Sequence, residues 1–126
     1  MEKEFIEECW FIYGIWIGRS SFIGHLVHHS AGTSGSVDFD WKESMSPRLL
    51  GWLHSHPPSF GVGPSDTDES AMRGWVRARN DKLICGISSM EHFNWLLYFR
   101  RPDREIGWSF LNVQRLPLGM LYGVMK

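Results

Sequence analysis

The eight residues from Pro57 to Pro64 hold three prolines and two glycines. A chain with that segment near its middle cannot run one regular element through it. Proline has no backbone N–H to give, and glycine is costly inside a helix or strand. The segment therefore splits the sequence into two halves of different character. Before it, Leu49 to His56 reads as a strand that must end at Pro57. After it, the spacing predicts a helix with Ser65 as N-cap and Asp68 three residues on, close to a capping box. Asp66, Asp68 and Glu69 crowd its first turn and Arg77 and Arg79 its last, as the helix dipole prefers. Ala71, Met72, Trp75 and Val76 form one apolar face.

The flanks read mainly as strands. Glu8 to Ile17 is a nearly continuous run of aromatic and β-branched residues, suited to a strand buried on both faces. Gly18 to Ser21 is a turn, and Phe22 to His29 a partner strand. Ala31 to Ser36 reads as a loop, and Val37 to Trp41 alternates as a short strand. Beyond the helix come Leu83 to Ser88, Phe93 to Arg100 and Ile106 to Leu116. In the second of these, Phe93, Trp95, Leu97 and Phe99 share a face. Pro117 to Lys126 is expected to be a loosely attached tail. The fold class these elements imply is α+β: a mainly antiparallel sheet packed with a central helix.

Composition narrows the function. At 126 residues the chain has room for a single domain, 1–126, with a core of about 7–116. Thirteen basic against fourteen acidic residues leave a net charge of -1, which gives no footprint for gripping nucleic acid. The acidic start is unlike a signal peptide, and the apolar run from Cys9 to Ile17 is too short to span a bilayer, so no membrane association is expected. Cys9 and Cys85 read as reduced, buried thiols, in keeping with a cytoplasmic protein. Seven tryptophans point to an aromatic core or an aromatic surface for a partner, and allow a monomer or a homodimer.

The chemistry concentrates at the break. On a strand, His54 and His56 point to the same face. Asp68, in the first turn of the following helix, can turn back toward that strand end. Two imidazoles and a carboxylate make three ligands for zinc, with an open fourth position of the kind catalytic sites keep. Taken singly, each residue has a plainer explanation: a His-x-His pair by chance, and an aspartate that complements the helix dipole.

Taken together, Gly51-Trp52-Leu53-His54-Ser55-His56-Pro57 and Pro64-Ser65-Asp66-Thr67-Asp68 resemble the signature of the JAMM metalloproteases, also called MPN or JAB domains, in their small stand-alone prokaryotic form. The resemblance covers about Glu7 to Leu116. It implies an MPN/JAB-like curved sheet with a central helix, an architecture akin to cytidine deaminases. It implies one Zn2+ per chain held by His54, His56 and Asp68, with Ser65 stabilising the oxyanion. It also calls for an upstream glutamate as general base, about seven residues ahead of a glycine. Glu7, with Gly14, fits that spacing; Glu8, Glu4 and Glu2 compete with it. A carboxylate is needed because the attacking water must lose a proton and the leaving amine must gain one. The implied activity is hydrolysis of a peptide or isopeptide bond, at the C-terminal tail of a ubiquitin-like or sulfur-carrier-like protein. Such a tail is expected to add as a strand along an exposed sheet edge.

The sequence departs from the family in three ways. Only six residues precede Glu7, too few for the usual leading helix. Trp10 stands where many members have glycine. There is no room for the insertions with which larger members hold ubiquitin, so capture would fall to the basic sheet surface or a partner. A non-catalytic scaffold that keeps the metal motif is the alternative function, and hydrolysis of other amides or of nucleic-acid components a third. Elsewhere, His28 and His29 on adjacent positions face opposite ways, and with His25 make no site. His92 falls near a turn, and Arg100, Arg101 and Arg104 form a solvated cluster.

Overall fold

The computed structural model describes residues 7–31 and 46–126. The expected loop at Ala31–Ser36, apart from its first residue, and the expected strand Val37–Trp41 lie outside the described residues, as do Glu2 and Glu4. The elements are β1 (Glu8–Ile17), β2 (Ser21–Ala31), β3 (Leu49–Ser55), α1 (Asp66–Arg79), β4 (Leu83–Ser89), β5 (His92–Arg100), β6 (Ile106–Arg115) and β7 (Met120–Met125), with single 3-10 turns at Pro58–Phe60 and Pro117–Gly119.

These strands correct the expected fold class. The seven close into a barrel in the order β1-β2-β7-β6-β5-β4-β3, with β3 returning to β1. An α+β sheet packed with a central helix, MPN/JAB-like and cytidine-deaminase-like, is not what forms. The element that makes the difference is β7. The tail expected to hang loose instead pairs antiparallel with β2 through Ser21–His25 and with β6 through Leu111–Arg115. Every pairing is antiparallel except β3 with β4, which run parallel because α1 carries the chain across between them. Among the described residues, closure also leaves no edge strand of the kind along which a substrate tail was expected to add.

Two apolar clusters occupy the two sides of the same strands. The barrel interior takes Ile12, Phe22, Leu50, Leu53, Ile84, Trp95, Leu97, Leu111 and Leu121, with contributions from all seven strands. The outer cluster takes Phe11, Leu49, Trp52, Leu83, Cys85, Ile87, Leu96 and Tyr98 from β1, β3, β4 and β5, and is covered by Met72 and Val76 of α1. The helix therefore lies against the outside of the barrel. Burying Met72 and Val76 stabilises that packing by about 1.5–3 kcal/mol each. Double coverage explains why β3 and β4 are buried almost throughout. In β5 the expected Trp95 and Leu97 face is the interior one, while Leu96 and Tyr98 serve α1.

Side-chain hydrogen bonds fix α1 at both ends. The capping box at Ser65 is complete: Asp68 N–H donates to Ser65 Oγ at 3.1 Å, and Ser65 N–H donates to Asp68 Oδ2 at 2.9 Å. At the other end, Asn80 adopts the left-handed conformation that closes a helix, and Arg79 donates to the carbonyls of Ser46 and Leu49 at 3.0 and 2.6 Å. No helix among the described residues is long and apolar enough to cross a membrane.

Candidate metal centre

β3 delivers the two histidines. Its alternation sends Leu49, Trp52 and His54 to the side covered by α1, and His56 follows just past the strand end. The register depends on Gly51. The β1–β3 pairing shifts there, from Ile12 opposite Gly51 to Tyr13 opposite Leu49. Gly51 has φ 155°, and a Cβ on it would overlap the carbonyl oxygen of Ile84 in β4. Only glycine fits this bulge. His56 N–H then donates to the Ser88 carbonyl at 2.7 Å, carrying the parallel pairing one step beyond the strand.

The break after Pro57 is held in a definite shape. Asn94 Nδ2 donates to the Val62 carbonyl at 3.0 Å, which ties the segment to β5. The loop delivers the chain to Ser65, whose cap fixes the first turn of α1 and with it Asp68. The three side chains meet there. His54 Nε2 lies 3.0 Å from Asp68 Oδ1, His56 Nε2 lies 3.0 Å from Asp68 Oδ2, and the two Nε2 atoms are 3.1 Å apart. A tetrahedral zinc with bonds of about 2.0–2.1 Å places its ligand atoms about 3.3 Å apart. The observed spacings are of that size. Both histidines are buried, and Asp68 is largely so.

The hydrogen bonds around the site suit a cation. His56 Nδ1 lies 3.3 Å from the Gly61 carbonyl, which can only accept, so Nδ1 carries a proton, and in the neutral ring Nε2 presents the lone pair a metal needs. That lone pair faces a carboxylate. Burial alone would raise the Asp68 pKa, but the hydrogen bond and charge of His54, the Ser65 N–H and the charge of His56 outweigh it and hold it at about 2. An ionised carboxylate and an imidazole lone pair 3.0 Å apart repel unless a proton or a metal lies between them. His54 Nδ1 is buried with no hydrogen-bond partner among the described residues, so its ring is held by packing and by Nε2. Among the described residues, these three side chains form the group able to hold a metal ion. On geometry and donor set they fit zinc.

The structure also separates the competing glutamates. Cys9 pairs with His54 across β1–β3, and extending that antiparallel register places Glu7 opposite His56 and Glu8 opposite Ser55. Alternation puts Glu7 on the face of His54 and His56 and Glu8 on the other. Glu7 is only 9% exposed. Burial pushes its carboxyl above the usual glutamate value, against the pull of His54 and His56 and with the push of Asp68. His54, His56 and Asp68 therefore all act on it electrostatically. Glu8 instead donates its N–H to Ser55 Oγ at 2.9 Å.

Ser65 sits at the site as the N-cap, with its oxygen accepting from Asp68 N–H; its O–H remains a donor. The sequence alone missed two supports, the Gly61 carbonyl that sets the His56 tautomer and the Gly51 bulge that sets the face of His54. Glycines at a strand bend and in a proline-rich loop were the available signal. Other histidines are elsewhere engaged: His29 stacks on Phe11 at 4.2 Å, and His28 meets Trp10 edge-on at 5.6 Å, on the opposite face. His92 opens β5 beside a turn, and Arg101 pairs with Asp103. Cys9 and Cys85 are free and buried, and burial pushes the Cys9 thiol up to about 12, far from nucleophilic use.

Set against protein-family models, the chain matches none, and it matches no curated protein either.

Proposed function

We propose that the chain is a zinc-dependent hydrolase of peptide or isopeptide bonds, similar to the JAMM enzymes in its site rather than in its barrel. The observation that carries this is the convergence of His54 Nε2, His56 Nε2 and the Asp68 carboxylate on one face, with the buried Glu7 on that face beside them. Bound there, zinc would lower the pKa of water and polarise a carbonyl. Glu7 takes the proton from the attacking water and returns it to the leaving amine. Its raised pKa makes it a stronger base for the proton of the attacking water than an exposed glutamate would be. Ser65 donates its O–H to the developing oxyanion while its oxygen keeps the helix cap. The substrate is the C-terminal tail of a ubiquitin-like or sulfur-carrier-like protein. With no edge strand to join among the described residues, that tail lies across the barrel end where β1 begins and β3 finishes. Free, buried cysteines suit a cytoplasmic location.

Metal content tests the reading first. Plasma mass spectrometry of wild type is expected to give about one zinc per chain, and His56→Ala close to none. Glu7→Gln should keep its zinc and lose cleavage of a ubiquitin-like protein extended by a short peptide, by about 100-fold or more. Wild type that stays free of zinc after incubation with it overturns the hydrolase and leaves a scaffold.

A further inference from the structure

Glu8 and Trp10 project from β1 on the face opposite Cys9, and Ser55 projects the same way from the end of β3. Together with His56, Pro58, Ser88 and Met90 they line a cleft of ≈ 370 Å³. The cleft shares His56 with the metal centre, so the two sites adjoin. Its volume lies at the small end of ligand-sized cavities, about 300–1,000 Å³, which suits a single long side chain better than a cofactor.

The lining combines apolar walls, the polar Ser55, Ser88 and His56, and one carboxylate. Trp10, Pro58 and Met90 are apolar, and Met90 is 79% exposed at a tight turn with φ 57°. Against them stands one carboxylate. The Glu8 backbone is fixed by its hydrogen bond to Ser55 Oγ, but its half-buried side chain enters none of the ion pairs among the described residues. Glu8 carries the one carboxylate among the residues that line the cleft. Apolar walls around it suit a methylene stem, and an indole face suits a guanidinium or ammonium head.

We propose that this cleft is a specificity pocket for a long basic side chain, arginine or lysine, in the peptide whose neighbouring bond is presented to the metal centre. The inference rests on the hydrolase reading for what it does, but binding in the pocket can be measured without turnover. The test uses the full chain carrying Glu7→Gln and two probes, acetyl-Gly-Gly-Arg-amide and the same peptide with citrulline, which keeps the shape and removes the charge. The Trp10 indole N–H resonance, assigned with Trp10→Phe, reports occupancy. The arginine peptide is expected to shift it, with the citrulline peptide binding about tenfold more weakly. Adding Glu8→Gln should abolish the difference, and Glu8→Lys should turn the preference toward a third probe, the same peptide with glutamate in place of arginine. A role of Glu8 in folding alone would not produce that reversal. Equal binding of the arginine and citrulline peptides, a silent Trp10 resonance, or discrimination that survives Glu8→Gln overturns the pocket. Hydrolysis by zinc-loaded wild type is scored separately. Discrimination without turnover removes the hydrolase and keeps the pocket; turnover without a preference for arginine removes the pocket and keeps the hydrolase.

Discussion

Asp68 uses one carboxylate for two purposes: it accepts from the Ser65 N–H to close the helix cap, and it faces both imidazoles. Its acidity links the two. With the folded carboxyl at about 2, below its ordinary 3.8, the unfolded chain binds the extra proton between those values. Stability should therefore rise with pH through that window, be fully present above about pH 4, and be lost as pH falls toward 2. Asp68→Asn keeps an acceptor for the cap and removes the charge. In chelator-treated protein, the stability gap between wild type and Asp68→Asn, measured by urea unfolding, is expected to close as pH falls from 4 to 2. A gap that stays constant across that range would show that the carboxylate is not held ionised by the imidazoles. At this scale the sequence was informative. A His-x-His on a strand, a proline after it and a capped helix start are local signals, and each lands where its spacing predicts. Glu7 against Glu8 was open because adjacent residues differ only in face, and the face is set by the pairing of β1 with β3.

Elements deliver these residues only if their register is right, and Gly51 is where that can be broken. An alanine there must adopt φ 155° with its Cβ inside the Ile84 carbonyl, or push β3 away from β4. Gly51→Ala is expected to cost about 3 kcal/mol in chemical denaturation. It should also reduce zinc content well below that of wild type, since His54 lies three residues on. Near-wild-type stability and full zinc loading would mean that the bulge is not what aims the histidines. The contrast between α1 and β7 shows what a sequence declares at this scale. Ser65, the acidic first turn and the basic last turn are all within one segment, so α1 reads plainly. The β7 residues carry no such local mark. Pro117, Gly119 and Gly123 resemble a frayed tail until β2 and β6 are present to pair with them.

Closure is a property of the whole molecule, and β7 is its keystone in the literal sense of filling the gap between β2 and β6. Gly123 sits where any Cβ would overlap the ring of Phe22, which is itself fully buried. The absence of a side chain is what lets β7 pass over that ring, while Leu121 enters the interior cluster alongside Phe22 and Leu111. The same position that looked like a flexible glycine is thus a packing requirement. Two variants probe it at different strengths. Gly123→Ala should force Phe22 or β7 to shift and cost about 1–3 kcal/mol. In the thermal midpoint that corresponds to a fall of several degrees, about 3–8 °C for each 1–2 kcal/mol in a chain of this size. Ending the chain after Leu116 removes β7, exposes one side of β2 and of β6, and opens the interior to water. That chain is expected to lose its sharp thermal transition and the near-ultraviolet signal of its packed tryptophans. Because β1 is held between β2 and β3, loss of the barrel should also release Glu7 and the ligand face, and zinc binding with it. A truncated chain that unfolds cooperatively near the wild-type midpoint and still binds about one zinc would mean that β7 merely decorates a sheet able to hold the site unclosed.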